Sequence, residues 1–151
     1  MNHAVVVDAS VVLCRLLPEE HTERARALFE DSLRDRRPIL APPHLASEVT
    51  NAIYQRLRRR REPRFHITEP EADLVLRTFL MLPIQLISPT NLYQEAYVLA
   101  KTDDISSIYD ALYVVLARIL HTELWTGDHR IYSAVRAVAP WVRFIGDYSL
   151  S

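Results

Sequence analysis

Four acidic residues, Asp8, Glu48, Asp110 and Asp128, lie far apart in the chain, each beside residues that read as buried. A carboxylate in such surroundings costs several kcal/mol unless a cation is paired with it. No lysine or arginine recurs beside all four, so the simplest common partner is a divalent metal ion. Gathered without a cation, such carboxylates would repel one another and hold protons. Ligation by oxygen alone suits Mg²⁺ or Mn²⁺. The six histidines, His3, His21, His44, His66, His121 and His129, show no His-x-His or His-x-x-x-His spacing, and none is assigned to metal.

Each acid taken singly also has a structural reading. Asp8 follows three valines and precedes Ala9-Ser10; it could cap the following turn, or carry chemistry with the Ser10 hydroxyl two residues away. Glu48 and Asn51 point from one face of a helix at the margin of an apolar stripe of Leu45, Val49, Ala52 and Ile53, although a lone glutamate is more often solvated. Asp110 falls in the first turn of an apolar helix, where the helix dipole favours an acid by about 0.5 kcal/mol. Asp128 follows Thr126-Gly127 and could cap the next helix. The four together are more specific than any one.

The elements that must position them follow from hydrophobic spacing. Ala4–Val7 reads as a short buried strand of a parallel sheet ending at Asp8. Glu19–Leu33 has helical spacing with glutamates in its first turn. Ile39–Ala41 is a second strand, stopped by Pro42-Pro43, and a helix runs from about Pro43 to Arg59. Arg61–Phe65 is a loop. Thr68 with Glu71 forms a capping box opening a helix to about Leu82, which Pro83 ends. Ile84–Ile87 is a third strand, Pro89–Lys101 a helix, and Ser106 or Ser107 caps a helix from Ile108 to Leu120. Glu123–Thr126 is a fourth strand, His129–Val138 a last long helix and Val142–Ile145 a final strand. Strands alternating with helices imply a mainly parallel central sheet in a three-layer α/β/α sandwich. Functional sites in such sheets lie beyond the carboxyl ends of the strands, where Asp8 and Asp128 would both fall.

The 151 residues fit one domain spanning 1–151, with 49% hydrophobic and 25% charged residues, the composition of an ordinary soluble protein. The formal net charge is −1, so any nucleic-acid contact must use a local patch. Cys14 is the only cysteine, which excludes an intrachain disulfide and suits a reducing cytosol. The apolar stretch Ala4–Cys14, interrupted by Asp8, makes a poor signal peptide, and the run Leu112–Leu120 is too short to span a bilayer. With Gly127 and Gly146 the only glycines, there is no phosphate-binding glycine loop or dinucleotide fingerprint.

Val5-Val6-Val7-Asp8-Ala9-Ser10, Pro43 with Glu48 and Asn51 downstream, Ser107-Ile108-Tyr109-Asp110-Ala111-Leu112-Tyr113, and Trp125-Thr126-Gly127-Asp128 resemble the PIN-domain nucleases. Within them the likeness is to the VapC-like toxins of prokaryotic type II toxin–antitoxin pairs. The resemblance covers nearly the whole chain, and its one small departure is Gly127, where the motif more often carries alanine. It implies a cytoplasmic, metal-dependent endoribonuclease that cuts RNA to leave a 5′-phosphate and a 3′-hydroxyl. Asp8 and Asp110 would hold Mg²⁺ or Mn²⁺ directly, Asp128 would complete the site directly or through water, and Glu48 would hold or help activate a water. Ser10, Asn51 and Thr126 would orient the carboxylates from behind. The resemblance also implies an antitoxin partner and a homodimer.

Lys101 is the only lysine, so 17 of the 18 basic residues are arginine. Arg56, Arg58, Arg59, Arg60, Arg61 and Arg64 crowd the end of the Glu48 helix, where they could bind RNA phosphates or simply be solvated at the negative end of the helix dipole. Apolar stripes on the helices beginning near Glu20 and Thr68 could serve as docking surfaces or as core. A phosphatase with Asp8 as nucleophile would need an aspartate where Ser10 stands. A receiver-like phosphoacceptor would cluster its acids differently and end with a lysine this chain lacks. The serious alternative is a non-catalytic RNA- or protein-binding module on the same scaffold.

Overall fold

The computed structural model describes residues 3–151. The strand β1 (Val5–Val7) runs straight into helix α1 (Ala9–Leu16), with only Asp8 between them. Helix α2 (Thr22–Arg34), strand β2 (Ile39–Ala41), helix α3 (Leu45–Arg58), helix α4 (Glu69–Met81) and strand β3 (Ile84–Leu86) follow. The chain then forms α5 (Leu92–Thr102), α6 (Ile108–Ile119), β4 (Glu123–Thr126), α7 (His129–Val135), β5 (Val142–Phe144) and a 3₁₀ turn over Ile145–Asp147. All five strands pair in parallel in the order β3-β2-β1-β4-β5. The α/β/α sandwich with a central parallel sheet expected from the sequence is therefore the observed architecture.

Parallel strands need return crossovers, and helices supply them. Helices α1 to α4 pack on one another, while α5 packs on α6 and α6 on β1 and β4. The β1 valines are buried, and so are all seven residues from Ala111 to Ala117 in α6, because both elements lie inside the sandwich. That burial explains why neither shows the alternating pattern of a half-exposed element.

The order of strands reverses between β1 and β4: the chain builds outward through β2 and β3, then returns to the other side of β1. Such a switch point leaves a crevice at the carboxyl edge of the sheet. The register Val7↔Trp125 sets the two strand ends level there. Helices that leave or cross back from this edge begin at it, so α1, α3, α6 and α7 all aim their positive ends toward one place.

Several boundaries differ from the sequence expectation for identifiable reasons. The run after Asp8 is helix α1, hidden by its density of apolar residues, with Val11, Val12 and Cys14 buried. Helix α2 starts at Thr22 rather than Glu19, because the Thr22 hydroxyl accepts from the Glu19 N–H and donates to the Leu17 carbonyl, closing a turn before the helix. Of the glutamates expected in its first turn, only Glu23 is there. Helix α7 is short and ends at Val135, not Val138. The capping box is present: Thr68 Oγ1 accepts from the Glu71 N–H, and Glu71 accepts from the Thr68 N–H. Ser107 is the cap of α6, accepting from Tyr109 N–H at 3.1 Å. Among the described residues no helix is long and apolar enough to cross a membrane.

Candidate active site at the switch point

Asp8 is 3% exposed, one of three buried polar residues among the described residues, with Ser32 and Thr126. Its placement follows from the short link between β1 and α1: it caps α1, with Oδ1 accepting the Val11 N–H at 3.1 Å. The capping reading and the functional one therefore coexist in one side chain. The Ser10 hydroxyl donates to Asp8 Oδ1 and the Thr126 hydroxyl to Asp8 Oδ2, both at 2.5 Å. Each hydroxyl also accepts from the turn after β4: Gly127 N–H to Ser10 Oγ at 2.7 Å and Asp128 N–H to Thr126 Oγ1 at 3.0 Å. Two hydroxyls thus fasten the end of β4 to Asp8 and fix where Asp128 begins.

Burial is the largest influence on Asp8 and outweighs these three donors, with Asp128 adding a smaller upward push, so its carboxyl is raised from 3.8 to about 6. Asp110, half-buried in the first turn of α6, is also raised. Burial is the main cause there too; Asp128 and Glu48 push it further up, and Arg130 and His44 pull it down. The four acids are therefore linked in a chain of electrostatic neighbours, Asp8 to Asp128, Asp128 to Asp110 and Asp110 to Glu48.

Asp128 caps α7 through the Arg130 N–H (2.9 Å), and the Arg130 guanidinium lies 3.3 Å from its other oxygen. Glu48, in the first turn of α3, accepts from the Tyr113 hydroxyl at 2.8 Å. His44 Nε2 is 3.0 Å from the same Glu48 oxygen but off the direction of a hydrogen bond, so its proximity rather than a directed bond carries the contact. Burial pushes Glu48 up, the His44 and Tyr113 contacts more than offset it, and the carboxyl sits below its usual value. Burial, followed by the neighbouring Glu48 charge, holds the Tyr113 phenol far above the ordinary tyrosine range, so it remains a donor.

Ser10 and Thr126 thus stand against Asp8 itself. Asn51 is exposed, on the solvent face of α3 beside Ala46, Ser47, Thr50 and Tyr54. His44, Tyr113 and Arg130 are the site residues that sequence reasoning missed. Signals existed: His44 stands four before Glu48 on one helix face, Tyr113 belongs to the same short segment as Asp110, and Arg130 is two from Asp128.

Among the described residues no three His, Cys, Asp or Glu side chains lie close enough to form a ready-made ion cage. The chemistry of the set fits a hard divalent cation nonetheless. It consists of carboxylates, Asp8 among them only 3% exposed, and burial, with neighbouring acids adding to it, pushes Asp8 and Asp110 toward protonation. A hollow of about 380 Å³ lined by His3, Arg37, His121 and Glu123 lies at the opposite edge, by the amino ends of β1 and β4, away from these groups.

Of the arginines at the end of α3, Arg58, Arg59, Arg60 and Arg61 line one shallow depression with Gln55 and Glu62. Arg56 is turned elsewhere, bonding Glu19 at 2.5 Å and fastening α3 to the segment before α2.

Residues 5–137 match the PIN domain family. The chain therefore belongs to the PIN-domain family, whose members are nucleases that generally use divalent metal ions. The fold is shared with PAE2754 from Pyrobaculum aerophilum at a TM-score of 0.68 and 18% identity, over 97% of this chain and 93% of that one. It is also similar to Mycobacterium tuberculosis VapC20, described as a Sarcin-Ricin loop cleaving toxin, at a TM-score of 0.57 and 15% identity, over 87% of this chain and 95% of that one. No curated protein matches the sequence. The resemblance to PIN-domain nucleases drawn from the four motifs is borne out by the family match, and the likeness to the VapC20 structure is one of fold.

Proposed function

We propose that this protein is a Mg²⁺- or Mn²⁺-dependent endoribonuclease that hydrolyses RNA phosphodiester bonds, the VapC-like toxin of a toxin–antitoxin pair. The observation that carries the reading is the buried Asp8 at the switch point, electrostatically coupled to Asp128, which is coupled in turn to Asp110. Asp8, Asp110 and Asp128 would hold the ion, with Glu48 holding a water beside it. When bound, the ion neutralises charge on the phosphate and lowers the pKa of water.

The remaining work falls to the chain's own side chains. Ser10 and Thr126 hold both Asp8 oxygens in place, which limits the reorganisation needed on loading. Tyr113 and His44 keep Glu48 ionised and oriented, so it can accept a proton from the attacking water. The water oxygen bonds to phosphorus as its proton passes to Glu48, the bond to the 3′ oxygen breaks, and that oxygen takes a proton from solvent, leaving a 5′-phosphate and a 3′-hydroxyl. Asn51, exposed one turn beyond Glu48, is assigned to orienting groups at the rim. Arg58, Arg59, Arg60, Arg61 and Arg64 would bind RNA phosphates, with Arg56 placing the helix that carries them.

The reading extends to an antitoxin partner, a homodimer, a cytoplasmic setting and a single domain over residues 1–151. The toxin character rests on the likeness to VapC20. The test is incubation of the purified protein with a pool of structured RNAs in Mg²⁺ or Mn²⁺, beside EDTA and Asp8→Asn controls. Cutting that both controls abolish, with 5′-phosphate ends, is expected. Intact RNA in every lane would overturn the nuclease reading in favour of a non-catalytic binding module.

A further inference from the structure

The hollow of about 380 Å³ at the amino edge of the sheet is built from three stretches of chain: His3 and Ala4 entering β1, His121 to Glu123 entering β4, and Arg37 in the link from α2 to β2. Arg37 is anchored at the end of α2. Its backbone N–H donates to the Ser32 carbonyl at 2.7 Å and its guanidinium to Ser32 Oγ at 3.3 Å, and Ser32 is buried. Its Nε, however, is buried without a hydrogen-bond partner, and among the described residues no carboxylate forms an ion pair with it. The Tyr148 hydroxyl feels the Arg37 charge but donates to Asp31, which is itself paired with Arg34 at 2.8 Å. Arg15 Nε is also buried and unpartnered, but that guanidinium lies 5.8 Å over the Phe29 ring, which takes up part of its charge. Arg37 has no such ring and borders an open hollow instead. A partly buried cation without a counter-ion is costly, and an anion entering the hollow would supply one.

We propose that this hollow is a binding site for a small phosphate, held by the Arg37 guanidinium with the His3 and His121 imidazoles as further donors. The planar guanidinium fork matches two oxygens of such a group. Glu123 is the one acid lining the hollow among the described residues, and Arg143 holds it at 3.1 Å. Two guanidiniums therefore stand against one carboxylate. The main chain contributes little: the N–H groups of Val5, His121, Thr122 and Leu124 donate to the carbonyls of Pro38, Arg118, Ala117 and Trp141, and the Thr122 hydroxyl to that of Ala4. Recognition falls to the side chains. The volume suits a phosphate carrying a small ester group, at the lower end of small-molecule sites. The site lies away from the acid cluster and stands independently of the nuclease reading.

The test titrates the full chain in EDTA, at constant ionic strength, with inorganic phosphate, adenosine 5′-monophosphate and adenosine, following backbone amide shifts by NMR. Saturable shifts are expected at residues 3–5, 37 and 121–123, with a Kd of about 1 mM for phosphate. Adenosine, which lacks the charged group, should shift nothing there. Arg37→Gln should weaken binding about tenfold. His121→Asn should weaken it about threefold; His121 is exposed and has a φ of 50°, which asparagine tolerates, so this variant carries the test if Arg37→Gln does not fold. Tighter binding of the nucleotide than of phosphate assigns the site to nucleoside monophosphates, and equal binding assigns it to free phosphate; either upholds it. Shifts gathered around Asp8, Asp110 and Asp128 instead, no saturation by about 20 mM, adenosine binding as well as its monophosphate, or wild-type affinity in both variants would overturn it. So would an acidic peptide that binds here where phosphate does not.

Discussion

Replacing Asp8 by asparagine should stabilise the metal-free protein at neutral pH while abolishing its activity. Burial holds this carboxyl from 3.8 to about 6, so its ionised form costs the metal-free fold about 3 kcal/mol. The direction follows from proton counts. Between pH 4 and 6 the folded state keeps a proton that the unfolded state has lost, so stability falls as pH rises through that window and stays low above it. Asparagine removes this loss and keeps the size of the side chain. Its oxygen can still accept from Ser10 and Val11, but its amide must donate to Thr126, whose hydroxyl has to turn, at a cost of about 1 kcal/mol. A net gain of about 2 kcal/mol above pH 7 remains, or roughly 4–8 °C in Tm for a chain of this length. Urea and thermal unfolding of both proteins in EDTA, from pH 4.5 to 8, measure it. The gap should be small at pH 4.5 and open with pH; adding Mg²⁺ should then stabilise the wild type alone. A gap of the same size at both ends, or a variant less stable at pH 8, would refute the reasoning.

Three further substitutions probe neighbouring groups. Arg130→Gln removes the cation 3.3 Å from Asp128; for so exposed a pair the change in Mn²⁺ affinity should be at most about fivefold, toward tighter binding, as calorimetry would report. Tyr113→Phe removes the hydroxyl that donates to Glu48 and should lower kcat about tenfold, the effect of losing one charge-assisted hydrogen bond, while leaving the core filled. Gly146→Ala would set a Cβ 2.4 Å from Phe144 Cε1 and should cost about 1–3 kcal/mol in urea unfolding, whereas Gly127→Ala, with nearest contacts of 3.3–3.4 Å, should cost less than about 1 kcal/mol.

The strands were legible because three or four β-branched or apolar residues bounded by proline, glycine or acid have few other readings, and the parallel sheet followed from their alternation with helices. Helix α1 was not, because Val11, Val12 and Cys14 extend an apolar run in which a buried strand and a buried helix share one pattern. The last turn expected of α7 failed for a different reason: spacing continues through Val138, but the helix stops at Val135 and the chain turns into β5, whose register is set by pairing with β4. The acids were visible as residue types beside buried runs. What no spacing rule could supply is the contact between elements that turns them into a site, such as Tyr113 of α6 reaching Glu48 of α3 across 65 residues of sequence. The same holds for Arg56, which belongs by sequence to the arginine cluster and by contact to Glu19.

Mn²⁺ binding by isothermal calorimetry, compared across the wild type, Asp8→Asn, Asp110→Asn, Asp128→Asn and Glu48→Gln, tests the central claim most directly. Binding should be present in the wild type, lost in Asp8→Asn and Asp110→Asn, and weakened in the other two. An affinity that none of the four substitutions changes would contradict it, since the carboxylates would then be gathered at the switch point for some purpose other than holding an ion.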